Sequence, residues 1–336
     1  MTLRLLAVFI PIALLLLGAY WVTTQPFVAA VRSTPPAVAA SRLEAHVRTL
    51  SESFYPRSFD HPEKLEGAAS YIQEAFASAG ARVESQPVAD QEGTYRNVIA
   101  RYGPADGPLI VIGAHYDSYA DASEGAKFPD GFDRRTHTPG ADDNASGVAG
   151  LLELARLFQQ VPPNVAVELV AFTLEEPPHF RGESMGSIRH ARALRASRRH
   201  VELMLSLEMI GYFSDEAASQ SYPLPGLGLI YPGRGDFIAI VGRLDDWAVT
   251  RKVKASMQGA SSLPVRSMNT FTILPGIDFS DHRSYWEEGF RALMITDTAF
   301  YHNPHYHGAG DTAERLDYRR MAQVVQAVYA VVEGWR

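Results

Sequence analysis

Cysteine is absent from the 336 residues. That excludes disulfides, thiolate nucleophiles and sulfur-based zinc sites, so a metal could be held only by carboxylates and by some of the 11 histidines. An excess of positive charge is missing too. Lys and Arg number 31 against 38 Asp and Glu, a net charge of −7, which argues against nucleic acid as a partner. Internal repeats are lacking as well, and a composition of 46% hydrophobic and 21% charged residues is that of a globular chain with ample material for a core.

Leu3 to Val22 is set apart as a uniformly apolar run with one charge, Arg4, near its start. Its length is about that of a bilayer core, and Tyr20 and Trp21 stand where interfacial aromatics belong. Residues 1–24 therefore read as a signal anchor, a transmembrane helix holding an exported catalytic domain on the periplasmic or extracellular side. The alternative is a cleaved signal peptide and a secreted protein. No A-x-A pattern follows directly, which favours the anchor. Residues 25–40, with Pro35 and Pro36, read as a linker. Ser41, with Glu44 three residues on, has the spacing of a capping box, and 41–336 reads as one domain.

Within it helix and strand patterns alternate. Helical spacing covers His61–Ala79, Gly147–Phe158 and about Asp317–Trp335, with Gly80 a natural stop for the first. Strands are expected at Asn97–Tyr102, Leu109–Gly113, Val165–Thr173, Leu203–Met209, Phe237–Val241 and Ala292–Thr296. Such alternation predicts an α/β fold, a mixed but mostly parallel central sheet covered by helices on both faces. Ligands in such sheets sit beyond the carboxyl ends of strands.

Ionisable residues collect at those ends. His115 and Asp117 follow the second expected strand, Glu175 and Glu176 the third, Glu208 ends the fourth, and His307 lies in the loop after the last. Asp143 sits on a turn at a helix start. Imidazoles and carboxylates without thiolates suit zinc. A two-ion centre calls for a shared carboxylate, and the short Asp143 can bridge. His115 and Glu208 can then serve one ion, Glu176 and His307 the other. Two Zn²⁺ are balanced by Asp143, Glu176, Glu208 and one hydroxide, so the centre can be partly buried without a large desolvation cost. Asp117 can accept the second imidazole N–H of His115. Glu175, diverging from its neighbour in an extended segment, can act as general base.

The motifs HYDS (His115–Ser118), GADDNASG (Gly140–Gly147), EEP (Glu175–Pro177) and YHxxxDT (Tyr306–Thr312) resemble those of the co-catalytic di-zinc exopeptidases. That family includes bacterial leucyl aminopeptidases, aminopeptidase Y and glutamate carboxypeptidase, and is related to glutaminyl cyclases. The resemblance implies a three-layer αβα sandwich and the roles already given to His115, Asp143, Glu176, Glu208, His307, Glu175 and Asp117. It also implies a cis peptide bond at Asp143–Asn144. Glu208 departs from the aspartate of many members but keeps the charge. Ser280-Asp281-His282 resembles a further family motif and is placed at the rim of the site, with Asp281 and His282 in reach of substrate.

The expected activity is that of an aminopeptidase removing residues from peptides with a free N-terminus, with zinc making hydroxide available near neutral pH and Glu175 shuttling the proton. One rival is a one-zinc glutaminyl-peptide cyclotransferase; another is an inactive binding protein on the same fold. His46, His61, His137, His179, His190 and His200 are expected at the surface, and the Arg189–Arg199 stretch on a solvated helix face. The stretches Ser118–Thr138 and Ser214–Asp236 are expected to shape the substrate pocket. The sequence leaves the oligomeric state open.

Overall fold

The computed structural model describes residues 2–91, 93–120 and 137–335, and the side chains of residues 2–9 lie outside that description. Among the described residues eight strands form one sheet: β1 (Arg82–Ala89), β2 (Thr94–Tyr102), β3 (Leu109–His115), β4 (Ala166–Phe172), β5 (Val201–Glu208), β6 (Ile238–Arg243), β7 (Val265–Thr270) and β8 (Ala292–Thr296). Their order is β1-β2-β4-β3-β5-β8-β6-β7. Pairs β3/β4, β3/β5, β5/β8 and β6/β7 are parallel, while β1/β2, β2/β4 and β6/β8 are antiparallel. The sheet is thus mixed, with parallel strands at its centre. The six expected strands are all present. The two that carry no apolar run, β1 and β7, are the edges.

Eight α-helices among the described residues accompany the sheet: α1 (Thr2–Thr24), α2 (Ala40–Arg48), α3 (Pro62–Ser78), α4 (Gly147–Gln160), α5 (Gly186–Ala196), α6 (Trp247–Ala260), α7 (His282–Glu287) and α8 (Tyr318–Glu333). Side chains alternate across each strand. Ile110, Ile112 and Ala114 of β3 therefore join Leu205 and Leu207 in a core with α3, α4, α6 and α8. Leu109 and Val111 point to the opposite face and pack with Ala191 of α5 and Tyr285 of α7. Two apolar layers on one sheet make the αβα sandwich. The central strands β3 and β4 are buried along their whole length, as parallel strands covered on both faces must be.

Local signals fare unevenly. Gly80 ends α3 as expected, with φ at 72° and its N–H bonded to the Ala77 carbonyl. Ser41 is not a cap: the helix starts at Ala40, Ala39 holds the extended cap conformation, and no side chain caps it. Glu44 instead pairs with Arg48 one turn on. Residues 25–33 of the expected linker lie along α6, where Val31 and Ser33 N–H groups bond to Ala255 and Gly259 carbonyls. The end of α1 is held by Lys254, whose Nζ donates to the Thr24 and Gln25 carbonyls at 2.8 and 3.0 Å. Further back along α1, Ile10, Ile12 and Leu14 to Leu17 are exposed. Among the described residues no helix is long and apolar enough to cross a membrane.

His190 corrects the expectation of a surface residue. It is buried, with Nδ1 2.6 Å from the Tyr285 hydroxyl and Nε2 3.2 Å from Glu168. His179 is buried as well, its Nε2 3.2 Å from Asp90.

Candidate metal centre

The carboxyl ends of β3, β4 and β5 and the N-terminal end of α4 meet at one edge of the sheet. His115 closes β3 and Glu208 closes β5. Asp143 lies in the turn before α4, where the peptide bond to Asn144 is cis. Gly140 opens this turn at φ 59°, and a Cβ there would meet the Asp143 carbonyl at 2.3 Å, so only glycine fits. Asn144 ties the turn to β5: its Nδ2 donates to the Leu207 carbonyl, and its Oδ1 accepts from the N–H groups of Gly147 and Met209.

Five side chains converge. Asp143 Oδ1 lies 3.3 Å from His115 Nε2, and its Oδ2 lies 3.3 Å from His307 Nε2. Glu208 Oε2 is 3.5 Å from His115 Nε2, and Glu176 Oε2 is 3.2 Å from His307 Nε2. Donor atoms thus form two compact triads, His115–Asp143–Glu208 and Asp143–Glu176–His307, with Asp143 in both. These are the residues that the spacing singled out. All but His307 are buried; His307 is half-buried and sandwiched between the rings of Tyr119 and Tyr306 at 4.0 and 3.8 Å.

The electrostatics ask for cations. Four buried carboxylates, Asp143, Glu175, Glu176 and Glu208, surround two imidazoles. Burial pushes Glu176 up to about 7 with help from Asp143. It also raises Glu175 well above the usual range, reinforced by Glu208 and Glu176. Burial opposes the charged form of His307, yet Glu176 and Asp143 outweigh it and lift the imidazole to about 10. Two atoms in the middle, His115 Nε2 and Glu176 Oε1, are buried without a hydrogen-bond partner. Such orphans are costly, and a nitrogen–oxygen donor set of this kind fits zinc.

Asp117 and Glu175 both face the cluster. Glu175 Oε2 is 3.9 Å from His115 Nε2. Asp117 works differently from expectation. Its carboxylate is 3.5 Å from His115 Nδ1, beyond a firm hydrogen bond, while its backbone carbonyl is closer at 3.2 Å. The Asp117 carboxylate instead accepts the Glu176 N–H at 3.0 Å, so it orients the EEP segment. Asp281 and His282 correct the rim placement. Both are fully buried, because Asp281 leads straight into α7, which packs on α5 and on the central strands β5 and β8. His282 bonds through Nε2 to the Ile277 carbonyl at 2.7 Å, and neither lies on an open surface.

Three residues beyond the expected ligands, base and orienting aspartate hold the site together. Asp311 accepts the N–H groups of Asp142 and Asp143 at 2.9 and 3.0 Å. Ser280 donates to Glu208 Oε2 at 2.8 Å. Arg57, fully buried, donates to the carbonyls of Tyr116, Pro139 and Gly140. A lone arginine far from any motif gave no sequence signal, whereas Asp311 was visible within YHxxxDT.

Beside Glu208 and Tyr306 opens an apolar pocket, walled by Tyr231, Phe237, Val241, Met268, Ile277 and Met294. Residues 220–223 and Tyr231 contribute to it, as expected of the stretch Ser214–Asp236. Most of the other expected stretch, residues 121–136, lies outside the described residues.

Fold and donor set together are those of an α/β protein with a carboxylate–imidazole site suited to zinc. Residues 97–332 match Peptidase family M28, well over half of the chain, and the protein belongs to that family. The uncharacterized protein YfbL of Escherichia coli is 53% identical over 308 residues, 92% of each chain. A probable aminopeptidase of Saccharomyces cerevisiae is 27% identical over 231 residues, 67% of this chain and 52% of its own length. Among solved structures, LapB from Legionella pneumophila superposes with a TM-score of 0.67 at 21% identity, over 88% of this chain and 71% of that one. A glutaminyl cyclase of Bacteroides thetaiotaomicron also gives 0.67, at 19% identity over 90% and 100%. Both structural likenesses concern the fold.

Proposed function

We propose that the protein is an aminopeptidase with two zinc ions that hydrolyses the first peptide bond of substrates with a free N-terminus. The observation that carries this reading is the pair of donor triads sharing Asp143. His115 and Glu208 would hold one ion, Glu176 and His307 the other, with Asp143 between them. Zinc, when bound, supplies a Lewis acid and an activated water near neutral pH.

The chain's own residues do the rest. Glu175 takes the proton of the attacking water at a carboxylate oxygen as the new C–O bond forms at the scissile carbonyl. It returns that proton to the leaving nitrogen as the C–N bond breaks. The acidic cluster favours a substrate α-ammonium over a blocked terminus. The apolar pocket beside Glu208 suits an apolar first side chain. The cyclotransferase reading keeps its support from the fold likeness, but a one-zinc centre would leave one of the two triads without a task.

Replacing Glu175 by Gln tests the mechanism. The variant should bind zinc like the wild type and lose roughly 10²–10⁴-fold in turnover, on a panel of aminoacyl-amides and longer peptides run with and without chelator. Wild-type rates would end the mechanism, and one zinc per chain with pyroglutamate as product would favour the cyclotransferase. No turnover at any substrate with full zinc would favour the inactive binding protein.

No helix among the described residues is long and apolar enough to cross a membrane, but the exposed apolar stretch from Ile10 to Leu17 supports a further part of the reading: residues 1–24 attach an exported catalytic domain to a membrane. Release into a soluble fraction by high salt alone would overturn that, and recovery without residues 1–24 would favour secretion after cleavage.

A further inference from the structure

A second group of metal-type donors lies away from the two triads. Asp60 and His61 come from the segment leading into α3, and His137 from the short antiparallel bridge with Ala120. Asp60 uses its two oxygens on two different rings: Oδ2 lies 2.9 Å from His137 Nε2, and Oδ1 lies 3.2 Å from His61 Nδ1. The imidazoles meet edge to face, with centroids 4.7 Å apart and planes at 88°. One donor atom from each of the three residues falls within 4.8 Å of the others. Zinc at bond lengths of about 2.0–2.2 Å sets its tetrahedral ligands about 3.3–3.5 Å apart, near the 2.9 and 3.2 Å that separate Asp60 from the two rings.

We propose that Asp60, His61 and His137 form a further binding site for a divalent transition-metal cation of the zinc type, separate from the catalytic centre. Two imidazoles and one carboxylate favour such an ion over calcium or magnesium, which prefer oxygen ligands. The carboxylate is set for the task. Ser58 Oγ donates to its Oδ1 at 2.6 Å, and the bonds from Ser58, His137 and His61 overcome partial burial and pull the Asp60 carboxyl down to about 2. Side-chain exposures of 38% for Asp60, 35% for His61 and 18% for His137 leave room for water to complete the coordination and for the ion to exchange.

The site joins two segments far apart in sequence at the edge of the active site. The Tyr55 hydroxyl donates to the His137 carbonyl at 3.2 Å. The next residue, Thr138, donates its N–H to the Tyr119 carbonyl at 3.1 Å, and the Tyr119 ring stacks on His307. Asp60, His61 and His137 therefore stand outside the two triads, separated from His307 by Thr138 and Tyr119.

Zinc content at saturation tests the proposal. Full-length wild type, His137→Ala and Asp60→Asn are dialysed against free zinc, and bound metal is counted by elemental analysis, with calcium as a control. Each variant should hold one zinc fewer than the wild type and keep wild-type turnover on an aminoacyl-amide, while calcium should not replace the missing ion. Equal zinc in all three proteins overturns the site, and so does the loss of more than one ion or of turnover, which would tie these residues to the catalytic centre. Two variants on separate segments guard against one that fails to fold. Because the difference between proteins is read, the result stands whatever number of ions the catalytic centre holds.

Discussion

Arg57 Nε donates to the Tyr116 carbonyl, 2.8 Å away, and this one bond ties a fully buried guanidinium to the residue that links His115 to Asp117. The other nitrogens reach the Pro139 and Gly140 carbonyls at the entrance to the Asp143 turn. Arg57 thus cross-links the two loops that carry the shared donor and its partner imidazole. Burial pushes its guanidinium down to about 10, and the charges of Asp311, Asp117, Asp143 and Glu176 hold it up against a larger fall.

Lysine keeps the charge of Arg57 but not the planar fork. Arg57→Lys leaves buried carbonyls without donors and should cost roughly 2–4 kcal/mol of stability. The shared donor turn should also drift, with a fall in turnover on the order of 10²-fold. Urea unfolding and steady-state kinetics check the two effects. A variant with the wild-type midpoint and turnover would show that the cross-link is dispensable.

Removing metal should unbalance the centre. Asp143, Glu175, Glu176 and Glu208 then face one another with only His115 and His307 between them, and like charges in a buried site repel. A chelator should lower the melting temperature, and added zinc should restore it. The gain is about 4 kcal/mol at a free-ion concentration about 1,000 times the dissociation constant. Asp143→Asn should lose metal from both triads, whereas Glu208→Gln should keep the ion of the Glu176–His307 triad. Equal metal loss in the two variants would contradict a shared Asp143.

The strands with apolar runs were legible in the sequence because burial on both faces demands such runs. The donors were legible because each follows a strand end or opens a helix. The edges were not: β1 exposes most of its side chains, so no hydrophobic pattern betrays it, and it is held by backbone pairing with β2. Ser41 misled because a capping pattern competes with packing, and burial of Leu43 and Val47 decides where α2 lies. Asp281 and His282 were set at a rim because a motif gives adjacency to a site but not depth. Arg57 and the Asp60–His61–His137 group depend on contacts across 59 and 77 positions, and no local pattern encodes those.

His282 gives the fold a handle on acid. Its burial outweighs the bond to the Ile277 carbonyl and pulls the imidazole from 6.5 down to about 4. Between those two values the unfolded chain holds the extra proton and the folded chain does not, so stability rises with pH across this window. The contribution is fully present above pH 6.5 and is lost on acidification toward pH 4, below which this group costs nothing further. The full loss is roughly 3 kcal/mol at about 1.4 kcal/mol per pH unit. Glu168 acts lower on the scale. Burial raises its carboxyl, but His190 and Arg101 win and pull it from 4.5 to about 2, so its stabilisation fades only below pH 4.5. Urea midpoints taken at pH 7 and pH 5 separate the two. His282→Gln keeps a donor for the Ile277 carbonyl and cannot titrate, so its midpoint should fall less between these pH values than that of the wild type. An equal fall in both proteins would assign the acid sensitivity to other groups.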